Sequence, residues 1–342
     1  MSNQPPIEVP QGAIRLNTDS QRLEFFVQDR WYEMATEEAS GLGRRGFRVS
    51  GTGAGATLIE SFNITTLGNS HDTGFDLSTS RGAFGCSASR TRAVICGGNA
   101  PGITGSNNIQ YFEMTSLSNT IDFGDLTYDA AEAGAHSNNV RLVVTGAASH
   151  ASNVINFLTV ASTGSAQDFG DQANKLSSTT ACGSPTRGLF AGGAIPSVVN
   201  IIEFVTIAST GNSVDFGDLT VARYSAGSGS NNTRGLFIMG NAGSPTNQVN
   251  TIDFVTISST GNAQDFGDSN MNDTGGPTQG AGVAASPNRI VFFGGYITGG
   301  TDRTTEMQYV NPTTRGNSTR FGDLETAQNS DGNALSSSHG GL

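Results

Sequence analysis

The chain has 342 residues, a net charge of −11 and one lysine, Lys175. No basic stripe of the kind a phosphate-backbone binder needs can be read from it, and no apolar run approaches the ~20 residues that span a bilayer. Its 46 glycines, set among Ser, Thr, Asn and short apolar runs, suit tight turns between short strands rather than helices.

Residues 1–11 read as a polar, proline-containing arm. MSNQPPIEVPQG lacks the charged-then-apolar pattern of a secretory signal, so synthesis in a cytosol without export by the usual route is expected. Over Gly12 to Met34, Ile14 and Leu16 alternate with polar residues, Asn17 to Ser20 carry turn chemistry, and Leu23 to Val27 and Trp31 to Met34 follow as strands. A three-stranded meander is predicted. A sheet this small is marginal alone, so Phe25, Phe26, Trp31 and Tyr32 are candidate residues for docking onto another protein. Ala35 to Leu42 reads as a linker, which divides the chain into 1–42 and 43–342.

From residue 43 onward one unit recurs, and a fixed period of this kind decides the architecture. An arginine opens an apolar run at Arg45, Arg92, Arg141, Arg187, Arg234 and Arg289. An aromatic marks a second run at Phe62, Phe112, Phe157, Phe204, Phe254 and Tyr309, and a phenylalanine marks a third element at Phe75, Phe123, Phe169, Phe216, Phe266 and Phe321. From second to third marker the spacing is 13, 11, 12, 12, 12 and 12 residues.

Each unit holds four short strands, the arithmetic of a β-propeller blade. The chain enters the first unit at its second strand, and Ala334 to His339 stands where a first strand belongs. The prediction is an all-β, six-bladed propeller whose first blade is composite, closed by pairing of the two ends.

The six arginines recur with six aspartates, Asp76, Asp125, Asp171, Asp218, Asp268 and Asp323. One of each per blade suggests Arg–Asp ion pairs or backbone contacts between blades, rather than a ligand ring. Asp-Phe-Gly-Asp repeats too often to be a kinase magnesium site, and no D-x-D-x-D-G calcium run is present.

Cys86, Cys96 and Cys182 are too few and too irregular for a disulfide framework or a zinc site, so free thiols are expected. His136 and His339 fall in or beside first strands, which line the axis. His71 and His150 complete the histidines. No Gly-x-Ser-x-Gly, H-E-x-x-H or distinctive carboxylate pair occurs. No cofactor, no metal and no enzymatic activity are expected. Variable loops at 99–108, 241–250 and 296–305, and an insertion between Asp268 and Arg289, are the places where binding would reside.

The Gly-Gly after the second strand (Gly97-Gly98, Gly192-Gly193, Gly294-Gly295) and the aromatics of the third and fourth resemble the Kelch repeat over residues 43–342, with Phe where Kelch blades carry Trp. The wording TIASTGNSVDFGDLTVAR with TRGLFAGG is similar to repeats in virion proteins of marine tailed phages, especially those of cyanobacteria. The segment carrying Gly12, Ile14, Arg15, Asn17, Thr18, Leu23 and Glu24 resembles one common in phage tail and fibre proteins. The resemblance implies a non-enzymatic, tail- or fibre-associated virion protein, present in many copies, anchored by its N-terminal segment to other virion proteins. It could also touch a host glycan. A capsid decoration protein and a lectin-like propeller are the alternatives.

Overall fold

The computed structural model describes residues 9–17, 22–28, 30–33, 44–49, 57–100, 102–146, 152–194, 196–244, 248–271, 278–295, 304–326 and 333–342. The chain divides into two compact units, Met1–Ser40 and Gly41–Leu342. The stretch read as a linker, and parts of each variable loop, lie outside the described residues.

In the first unit Ile14–Asn17, Arg22–Val27 and Arg30–Glu33 form an antiparallel sheet in chain order. Ile14 pairs with Phe25 and Phe25 with Tyr32, while Arg15 pairs with Glu24. Partners in register share a face, so this register decides which side chains stand together.

The second unit is six four-stranded antiparallel sheets. Blade 1 is composite: Asn333–Ser336 pairs with Arg45–Val49, followed by Leu58–Asn63 and His71–Asp76. Blade 2 holds Gly85–Ala88, Arg92–Cys96, Ser106–Glu113 and Ile121–Ala130. Blade 3 holds Gly134–Ser137, Arg141–Thr145, Val154–Thr159 and Gln167–Asp171. Blade 4 holds Thr180–Gly183, Arg187–Ala191, Ile201–Thr206 and Val214–Asp218. Blade 5 holds Gly227–Ser230, Arg234–Ile238, Thr251–Thr256 and Gln264–Asp268. Blade 6 holds Gly282–Ala285, Ile290–Phe293, Glu306–Val310 and Thr319–Asp323.

The first strands touch one another in cyclic order, blade 6 meeting blade 1, so they line a central axis. The closing pair Leu335↔Phe47 is in register, and both side chains are buried. The ring is therefore closed by hydrogen bonds between the two ends of the propeller, which leaves no open blade edge inside it.

The core lies between blades, not within them. Ile252 and Phe254 of blade 5 pack with Ile290, Phe292 and Val310 of blade 6. Val255 and Ile257 on the reverse face pack with Leu189, Ile202 and Phe216 of blade 4. Third strands are consequently apolar on both faces, as sandwiched sheets require.

The aromatic marker needs one correction. In blades 3 to 6 Phe157, Phe204, Phe254 and Tyr309 are each paired two residues beyond the blade's arginine. In blade 2 that place belongs to Tyr111, opposite Val94, and in blade 1 to Ser61, opposite Phe47. Phe112 and Phe62 stand one residue further on and face the preceding blade. Phe112 packs edge-on against Phe47 at 5.4 Å, and Phe62 against Phe293 at 5.5 Å. A one-residue slip reverses the face a side chain occupies, which accounts for the 11-residue spacing in blade 2. In blade 1 the fourth strand is also one residue longer than the five-residue strands of blades 3 to 6.

Candidate functional site

Each marker arginine bridges to the next blade. At the end where first strands stop and second strands begin, Nη1 of Arg45 donates to the Met114 carbonyl, Arg92 to Val160, Arg141 to Ile207, Arg187 to Ile257, Arg234 to Pro312 and Thr313, and Arg289 to Ile64. The chain of contacts runs once around the ring and returns to blade 1. Five of the guanidiniums also lie over an aromatic of their own blade: Arg92 over Tyr111, Arg141 over Phe157, Arg187 over Phe204, Arg234 over Phe254 and Arg289 over Tyr309, at 4.5–4.8 Å from the ring centroid. The planar fork accepts both duties at once, which a lysine could not.

The aspartates do not meet these arginines. Arg141 is paired with Thr159 at one end of its third strand, and Asp171 with Val154 at the other. Five residue steps of strand separate them, about 17 Å. It is the aspartate backbone that reaches the next blade. The Asp171 amide donates to Asn212 Oδ1 at 3.0 Å, and the Asp171 carbonyl accepts from the Ser213 amide at 2.8 Å. The same amide contact recurs from Asp76 to Asn119, Asp218 to Asn262, Asp268 to Asn317 and Asp323 to Asn69. The carbonyl of Asp125 accepts from the Ala166 amide. Close approach here demands glycine. A Cβ on Gly170, at φ +143°, would stand 2.5 Å from the Gly211 carbonyl carbon. That fit explains why Asp-Phe-Gly-Asp and Thr-Gly-Asn recur together.

A second clamp was not singled out from the sequence. The third residue of each third strand in blades 1, 3, 4, 5 and 6, with Gln110 in blade 2, is polar and buried: Glu60, Gln110, Asn156, Glu203, Asp253 and Gln308. Their acceptors hold the segment leaving the previous blade, as in Thr127 amide to Asn156, Thr220 amide to Asp253 and Thr326 amide to Glu60. Two of them also form fully buried ion pairs, Arg48–Glu60 at 2.5 Å and Arg223–Asp253 at 2.7 Å. Burial pushes both guanidiniums down from their ordinary value, and the facing carboxylate opposes it. The signal was present in the sequence as a polar residue recurring inside an otherwise apolar strand.

The axis offers a channel with two unlike ends. Its mouth, where the crossovers enter the first strands, holds a cavity of about 110 Å³ bordered by Glu132, Ser178, Thr179, Thr180, Ser225 and Ser228 among small residues. Ala83, Glu132, Ser178 and Ser225 stand two residues before a first strand and share a left-handed backbone, φ 49–55°. The Glu132 amide donates to Ala83, Ser225 to Ser178 and Gly280 to Ser225, so the rim is laced blade to blade by its backbone. The Ser178 hydroxyl donates to the Glu132 carboxylate.

The other end is closed by the chain itself. Ser338 Oγ donates to the Ala285 carbonyl of blade 6 at 3.3 Å, and His339 Nε2 meets the Ala88 carbonyl of blade 2 at 2.7 Å. A Cβ on Gly340 would run into the carbonyls of Gly183 and Asn231, and one on Gly341 into that of Ser137, on blades 4, 5 and 3. His136 lies beside His339, ring centroids 5.6 Å apart, with its Nε2 on the Ser184 carbonyl at 3.2 Å. Burial holds the His136 imidazole at about 3 and His339 at about 4, well below the ordinary histidine range. His71 lies elsewhere, with Ser61, and His150 is outside the described residues.

Cys86, Cys96 and Cys182 are free. Burial raises all three, Cys96 and Cys182 to about 12, which keeps the thiols protonated and unreactive. Among the described residues no group of three or more His, Cys, Asp and Glu converges as metal ligands, and no helix is long and apolar enough to cross a membrane.

In the N-terminal sheet the four candidate docking residues divide between two faces. Phe26 and Trp31 pair with each other and share a face with Arg15 and Glu24. Phe26 and Trp31 are 5.2 Å apart, Arg15 lies 4.1 Å over the Trp31 ring, and Arg15 bonds Glu24 at 2.7 Å. The opposite face carries Tyr32, Ile14 and Leu16, exposed by 42%, 61% and 60%. Phe25 takes its place in register with Ile14 and Tyr32, but its side chain lies outside the described residues.

No protein-family model matches this chain, and no curated protein matches it significantly. The architecture is that of a six-bladed β-propeller.

Proposed function

We propose that this chain is a non-enzymatic structural and binding protein of a phage particle, in which the N-terminal sheet anchors a propeller that serves as a rigid platform. The observation that carries the reading is the apolar face of Ile14, Leu16 and Tyr32, left exposed on a sheet too small to hold itself together by burial. Such a face gains most from covering by another protein. The resemblance of Gly12, Ile14, Arg15, Asn17, Thr18, Leu23 and Glu24 to a segment of phage tail and fibre proteins supplies the setting, and the propeller repeats resemble virion proteins in the same setting. The recurring arginines and buried acceptors are engaged in joining blade to blade, and burial holds the axial His136 and His339 neutral, which suits a scaffold better than a reaction centre.

The test is to detect the chain in purified particles by mass spectrometry and then to assemble particles with Leu16→Ser and Tyr32→Ser in place. The variant should fold yet fail to enter. Incorporation at the wild-type level would overturn the docking role. Absence of the wild-type chain from every particle would overturn the virion setting, and density on the capsid rather than the tail would make it a decoration protein.

A further inference from the structure

The net charge of −11 conceals a separation of charge between the two ends of the propeller. At the end closed by the tail lie the six marker arginines, joined by Arg44, Arg90 and Arg315 in the adjoining turns, all three exposed. Among the described residues, the turns and strand ends here carry nine of the chain's 18 Lys and Arg and one carboxylate, Glu113, with Asp72, Asp122, Asp168, Asp215 and Asp265 standing further along the fourth strands. Glu113 is bound to Arg92 at 2.6 Å. The marker aspartates stand toward the other end of the sheets, one per blade, where fourth strands finish in blades 1 and 3 to 6, while in blade 2 the strand runs on from Asp125 to Ala130.

One ring of guanidiniums and one of carboxylates thus share an axis but lie at opposite ends. Among the described residues no ion pair joins them, and Asp323 is the one marker aspartate in a salt bridge, with Arg320. The arginine end also exposes Leu67 and Val140, by 59% and 63%. Arginine with exposed aliphatic side chains, and little Lys, Asp or Glu, is the composition of a protein–protein interface rather than of a solvated face.

We propose that this end docks on the aspartate end of a second copy of the same chain, so that copies stack head to tail about a shared axis. Both rings repeat once per blade, so charge and pseudo-symmetry match together. A heterologous contact of this kind does not close on itself and extends into columns. Guanidinium–carboxylate pairing fixes the facing ends.

The test is sedimentation velocity of the full-length chain at about 0.01 M and about 1 M salt, where the screening length falls from roughly 30 Å to 3 Å. Concentration-dependent species larger than a monomer are expected at low salt and should dissolve at high salt. Arg90→Glu with Arg315→Glu, and separately Asp76→Lys with Asp125→Lys, alter exposed groups, so both variants should fold and each should remain monomeric. Mixed, they present one unaltered pair of faces and one charge-swapped pair, so association should return in the mixture alone. A wild type that stays monomeric at both salts overturns the proposal. So does stacking that survives both variants, or capture of dextran sulfate by the arginine end without self-association.

Discussion

The propeller and the N-terminal sheet are built from the same kind of short antiparallel strand, yet they dispose of their apolar surface in opposite ways. In the propeller each sheet has a neighbour on both faces, and Phe254 and Val255, adjacent in one strand, are buried against different blades. Closure by Asn333–Ser336 gives blade 1 the same treatment. In the small sheet one face is occupied by its own Arg15, Trp31, Phe26 and Glu24, and the other exposes Ile14 and Leu16 and, in part, Tyr32. Self-sufficiency comes from closing a ring. A three-stranded sheet has no such closure.

The largest loss of stability should come from removing the closing strand. Deleting residues 333–342 removes the inner strand of blade 1 and the tail that touches blades 2 to 6. It exposes Phe47 and an unpaired edge, and should produce aggregates that persist at high salt, read by light scattering. A stable monomeric truncation would mean that the ring does not depend on its closure.

Next in size is Arg223→Ala. It strands the buried Asp253 carboxylate and should cost about 3–5 kcal/mol in chemical denaturation. A loss under ~1 kcal/mol would mean that water or a neighbour replaces the guanidinium.

Acid should act on the tail. Folded His136 and His339 titrate near 3 and 4, while the unfolded chain takes up both protons below about 6.5. Stability is therefore fully present above that value and falls as pH drops from 6.5 toward 4, by about 1.4 kcal/mol per pH unit for each histidine. His339→Gln should halve this slope between pH 6.5 and 5. An unchanged slope would place the sensitivity elsewhere.

Arg187→Ala should cost less, about 1–2 kcal/mol, because it removes a half-buried guanidinium and leaves one neutral carbonyl, that of Ile257, without its donor rather than a charge without its partner.

Much of this was legible in the sequence because repetition amplifies weak signals. Six arginines at one place, six phenylalanines at another and a half-unit at each end suffice for a closed six-bladed ring. What escaped was what repetition does not mark. Phe62 and Phe112 matched the aromatic pattern one residue out of register, and in a strand one residue exchanges one interblade core for another. Arg and Asp recurred together and suggested ion pairs, but recurrence does not say at which end of a strand a residue stands. The buried row from Glu60 to Gln308 mixes Glu, Gln, Asn and Asp, since any acceptor of suitable length can hold the crossover amide. In the meander Phe25, Phe26, Trp31 and Tyr32 read as one aromatic cluster. Strand alternation divides them between two faces.

The most direct measurement is amide hydrogen exchange on the full-length chain. Phe47 and Leu335, at the closing pair, should exchange as slowly as Phe190 and Ala181, the pair in the continuous blade 4, with the N-terminal sheet exchanging far faster than either. Exchange at Leu335 as fast as at Leu16 would contradict this, because the ring would then open while the other blades stay folded.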